Sequence, residues 1–89
     1  YYVVKHMVEA GMKMGFDEGL SRLLVKQTML GAYHLINNAE LSLDDLIKAV
    51  ASKGGTTEAA LSTFAEANIG TGLEQGILNA EKRAKELSK

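Results

Sequence analysis

The chain has 89 residues, 46% of them hydrophobic, with a net charge of -1 and neither cysteine nor proline. One domain of this length buries only about 60–65% of its unfolded surface, so a partner chain would add stability. Near-zero charge gives no electrostatic case for nucleic acid or an anionic membrane, the missing thiols exclude a disulfide framework or thiolate zinc site, and Lys5, Glu9, Lys13 and Lys26 keep every apolar run short of a membrane span or signal peptide.

The pattern predicts five helices in an all-α domain covering residues 1–89. The first runs from the start to about Met14, ends at Gly15, and carries Tyr, Val and Met on nearly every side, so it is expected to be buried all round. Asp17 is placed to cap a long second helix reaching about Asn37. Leu20, Leu23, Leu24, Gln27, Leu30, Ala32 and Leu35 supply its helical spacing. Ser42-x-x-Asp45 resembles a capping box for a third helix, with Leu43, Leu46, Ile47 and Val50 on its apolar face up to a Gly54-Gly55 turn. The fourth is expected to start at Thr56 or Thr57, bury Ala60, Leu61 and Phe64, and end near Asn68-Ile69-Gly70. Thr71-x-x-Glu74 is a capping box for the fifth, whose Leu73, Ile77, Ala80, Ala84 and Leu87 form a short coiled-coil-like seam. The first two helices expose more apolar surface than three short ones can cover, which points to a homodimer; a monomer with an uncovered patch is the other reading.

Chemistry concentrates at Ser52-Lys53-Gly54-Gly55-Thr56-Thr57, where two glycines and three hydroxyls lie between apolar helical segments. Two readings stand. In one, Gly-Gly ends a helix and Thr56 or Thr57 caps the next. In the other, the glycines let a ligand approach the backbone, and the unpaired amides of the following helix's first turn hold a small carboxylate or phosphate. On local signals alone the first reading is the stronger.

The surrounding pattern, Leu46-x3-Val50-Ala51-Ser52-Lys53-Gly54-Gly55-Thr56-Thr57-x2-Ala60-Leu61-x2-Phe64, closely resembles the signature of the pyrroline-5-carboxylate reductase family. Glu9-Ala10-Gly11-Met12-Lys13-Met14-Gly15-Phe16 is similar to that family's "EAGVKLGL" run, and Gln27-Thr28-Met29-Leu30-Gly31-Ala32 to its "QTVLGAA" helix. The closing Ala80-Glu81-Lys82-Arg83-Ala84-Lys85-Glu86-Leu87 is similar to its "A-x-x-R-x-x-EL". The similarity keeps register over essentially the whole chain.

What the resemblance implies is a C-terminal dimerisation and substrate-binding domain of the 6-phosphogluconate dehydrogenase C-terminal-like type, intertwined in a homodimer and open to assembly into a larger homo-oligomer. The family reduces 1-pyrroline-5-carboxylate to L-proline with NADPH or NADH in the cytoplasm. No G-x-G-x-x-G occurs here and the family's "GSGPAY" is missing before Tyr1, so this stretch is expected to lack the nicotinamide-binding Rossmann domain and to be inactive alone. By resemblance, the amides of Gly55, Thr56 and Thr57 and the Ser52 hydroxyl hold the substrate carboxylate. The Thr57 hydroxyl bonds the ring nitrogen, Val50 packs on the ring, and Gly54 and Gly55 leave room for it. Glu40 matches an acidic position of several members that could face the ring through water; a solvated loop carboxylate is its other reading. Two departures are Lys53, where proline is common, and Ile47-Lys48, where an Arg-Asp pair is frequent, so a salt bridge of relatives is not carried over there.

Other features invite plainer readings. His6 and His34 lie on different helices without partners at ligand spacing, so no metal site is expected. Met7, Met12, Met14 and Met29 read as core or interface fillers. Lys82-Arg83-Ala84-Lys85 reads as a solvated face, with Glu81–Lys85 and Lys82–Glu86 at i,i+4 spacing. A helix-turn-helix DNA reader fails because Thr57–Thr63 offers no Arg, Lys, Asn or Gln to base edges. A non-catalytic homodimerisation module of a reductase-like relative remains the alternative function.

Overall fold

The computed structural model describes residues 1–38, 40–51 and 55–88. Among these residues the chain forms five α-helices and no strand: α1 Tyr2–Lys13, α2 Glu18–Asn38, α3 Leu43–Ala51, α4 Gly55–Glu66 and α5 Ile69–Leu87. It is thus all-α, with the helices in the expected order. Two compact units are present, Tyr1–Leu43 and Asp44–Lys89.

The first unit pairs α1 with α2. Gly15 takes φ +108°, a region closed to most L-residues, and this ends α1 where the sequence indicates. Around it the Phe16 N–H reaches the Gly11 carbonyl at 3.2 Å and the Gly15 N–H the Met12 carbonyl at 3.0 Å. That double bond pattern is a Schellman motif, which satisfies carbonyls the helix end would otherwise leave open. Two residues after Gly15, Asp17 Oδ1 accepts the Leu20 N–H at 2.8 Å and caps α2 as expected.

The burial of α1 differs from the sequence-based expectation. One side packs: Gly11 is buried and Val4, Met7 and Val8 are half-buried, an i, i+3, i+4, i+7 row. Tyr1, Tyr2, Val3, Met12 and Met14 remain exposed. On the other side half-buried Glu9 takes exposed Lys5 at 3.9 Å and exposed His6 at 3.5 Å. The helix is therefore amphipathic and not apolar all round, because its charged residues cluster on one side.

Contact between α1 and α2 centres on two small residues. Ser21 is 1% exposed and its hydroxyl donates to the Val8 carbonyl at 2.7 Å. Facing it is Gly11, where a Cβ would collide with Ser21 Oγ and stand 3.2 Å from Ser21 Cβ. One turn further along α2, Val25 is 8% exposed, and it is the only buried hydrophobic side chain among the described residues. The leucines that supply the helical spacing of α2, Leu20, Leu23, Leu24, Leu30 and Leu35, are all exposed.

Helix α3 starts immediately after Ser42, where the sequence places a cap, and continues from Leu43 into the second unit. Asp44 and Asp45 lie in its first turn and Lys48 in its last, each favoured by the helix dipole. Leu46 and Ala51 are half-buried, while Leu43, Ile47 and Val50 are exposed. Two boundaries depart from the sequence reading. First, α4 begins at Gly55 and not at a threonine. Second, α5 begins at Ile69, so Thr71-x-x-Glu74 lies inside the helix and forms no capping box.

The cause of the second is Asn68, which adopts the left-handed conformation (φ 56°, ψ 38°). Asparagine tolerates that region better than other residues with a Cβ, and it turns the chain before Gly70 is reached. Its N–H bonds the Ala65 carbonyl at 3.1 Å and its carbonyl takes the Gly72 N–H at 2.9 Å, closing α4 and opening α5 at one residue. Along α4 only Leu61 and Thr57 are half-buried; Ala60 and Phe64 are exposed. The α5 seam of Leu73, Ile77, Ala80, Ala84 and Leu87 is likewise uncovered in the single chain. Glu81 pairs with Lys85 at 3.8 Å as expected, whereas Glu86 is taken by Arg83 at 3.1 Å, i,i+3, in place of Lys82.

Candidate functional site

The glycine-threonine turn lies in the second unit between α3 and α4, and each helix brings its own part of it. The last turn of α3 carries Val50, 52% exposed, followed by half-buried Ala51. The first turn of α4 carries Gly55, Thr56 and Thr57. Ser52, Lys53 and Gly54, which the sequence assigns to the same site, lie outside the described residues.

Starting α4 at Gly55 has a direct chemical consequence. In general the N–H groups of a helix's first turn have no acceptor four residues back and face the positive end of the helix dipole, and Gly55, Thr56 and Thr57 form that turn of α4. Among the described residues beyond Gly55's own neighbours and helix backbone, no heavy atom comes within 4 Å of where a Gly55 Cβ would stand. Neither threonine occupies the N-cap position, because both are already helical. This removes the capping role that the sequence alone allowed them. Thr56 is exposed and Thr57 half-buried. Thr28 and Thr63, by contrast, bond back to the Leu24 carbonyl at 2.8 Å and the Ala59 carbonyl at 3.1 Å within their own helices.

Glu58 shares this first turn and is exposed. Its carboxylate favours the helix end but opposes an incoming anion; at an exposed position salt screens that opposition. The sequence reading gave it no part in the site, and its position four residues into α4 becomes meaningful only once the helix start is fixed at Gly55. Glu40 lies in a bend of the first unit and is exposed. The first unit also has an open groove of about 540 Å³, floored by Val4, Val8 and Met12 and edged by Lys5, Glu9, Glu18 and Arg22. None of the predicted site residues lines it.

Among the described residues no group of three or more His, Asp or Glu is placed to hold a metal ion. No described helix is long and apolar enough to cross a membrane. With no strand among the described residues, the strand–turn–helix that cradles a dinucleotide is not present there.

Comparison with known proteins gives a consistent result. The family model described as pyrroline-5-carboxylate reductase dimerisation matches residues 1–87. A pyrroline-5-carboxylate reductase of Haemophilus influenzae is 36% identical over 88 residues, covering 98% of this chain and 32% of the relative. One of Vibrio alginolyticus is 37% identical over 90 residues, covering 100% of this chain and 33% of its own length. One of Staphylococcus haemolyticus is 33% identical over 89 residues, with the same two coverages, 100% and 33%. The chain therefore spans about a third of the length of the curated relatives it matches. No solved structure gives a significant match. A family match from the first residue to Leu87, on a chain of five helices in the expected order, places the protein in the pyrroline-5-carboxylate reductase dimerisation family.

Proposed function

We propose that this chain is the substrate-binding and dimerisation part of a cytoplasmic pyrroline-5-carboxylate reductase, which reduces 1-pyrroline-5-carboxylate to L-proline. The observation that carries the proposal is the similarity of the whole chain to proteins bearing that name. The start of α4 at Gly55 supports it chemically.

The substrate is a five-membered cyclic imine with a carboxylate. In this reading the amides of Gly55, Thr56 and Thr57 bind the carboxylate, with Ser52 as a further donor, and Gly54 and Gly55 keep the approach open. Val50, exposed at the end of α3, lies against the ring. The Thr57 hydroxyl bonds the ring nitrogen and so fixes the face of the imine presented for reduction. A reduced nicotinamide, NADPH or NADH, supplies the hydride and is held mainly by residues outside this chain. The protonated imine already carries the proton that the product amine keeps, so no general acid is required; Glu40 contributes at most through water. No metal takes part.

The assembly is a homodimer, with larger homo-oligomers built from it. Large apolar side chains are exposed on every helix, from Tyr2 on α1 through Leu30, Ile47 and Phe64 to Ile77 on α5. Ordering each residue costs about 1–2 kcal/mol of conformational entropy, which burial of so few side chains cannot offset. A second copy supplies the missing contact.

The test is Gly55→Val in the full-length enzyme that contains this chain, assayed for NAD(P)H oxidation with pyrroline-5-carboxylate and for dimer mass. Loss of turnover with an intact dimer is expected. Unchanged turnover and KM would reduce the turn to a plain helix junction, and a parent without reductase activity would leave a non-catalytic homodimerisation module.

A further inference from the structure

We draw no further inference here: the strongest candidate, the α5 face where Gly72, Gly76 and Ala80 form a small-residue stripe beside exposed Leu73 and Ile77, carries nothing, because nothing in the structure shows what covers it and a second copy there would restate the homodimer already proposed.

Discussion

Replacing Gly11 with alanine sets two opposing effects against each other, and the structure says which wins. In an ordinary helix interior the change stabilises by about 0.5–1 kcal/mol, since glycine loses more backbone freedom on folding. At Gly11 the new methyl collides with Ser21 Oγ and stands 3.2 Å from Ser21 Cβ. The serine must then rotate and give up its 2.7 Å bond to the Val8 carbonyl, a loss of about 0.5–1.5 kcal/mol. Even after rotation the methyl stands tight against Ser21 Cβ, so α1 and α2 must give by a few tenths of an ångström, an overpacking cost of about 1–3 kcal/mol. The net expectation is a loss of about 0.5–4 kcal/mol. Urea unfolding at a fixed protein concentration measures it; the concentration matters because a dimer's apparent stability depends on it. Ser21→Gly in the same background removes both clashing atoms and should recover about 1–3 kcal/mol, a coupling typical of residues in contact. A Gly11→Ala protein that melts at or above the wild-type temperature, or that adds independently with Ser21→Gly, would refute the close approach of the two helices.

Three further outcomes are expected. Thr57→Ala in the full-length enzyme should lower kcat/KM by about ten- to a hundredfold or more, the loss of one hydrogen bond worth about 1.5–3 kcal/mol, with little change in melting temperature, whereas Thr56→Ala should be mild. Equal kinetics for these two variants would remove the specific role of Thr57. At the α4–α5 junction, Asn68→Gly should be neutral or stabilising while Asn68→Val costs about 1–2 kcal/mol for a β-branched residue at positive φ, as read by thermal melts; a harmless valine would contradict the left-handed turn. In sedimentation at micromolar concentration the chain should run as a dimer, and a soluble monomer there would count strongly against the assembly.

What the sequence determined by itself was local. Gly15 ends α1 and Asp17 caps α2 through hydrogen bonds that close within five residues, so the residue types alone were enough to place both. The same locality made the Leu46–Phe64 motif readable, and with it the family. Where two local signals competed, only the folded chain resolved them. Asn68 turned the chain ahead of Gly70 and left the Thr71 capping box inside α5, and Gly55 entered α4 ahead of the two threonines. Which face of each helix is covered was decided by tertiary structure alone. Periodicity marks the apolar residues of α2 but cannot say what stands opposite them, and the small pair Gly11 and Ser21 lets the backbones approach where the leucines do not. The leucines stay exposed in one chain for a physical reason: burial requires a second surface, and a helix's own sequence does not contain the surface it packs against.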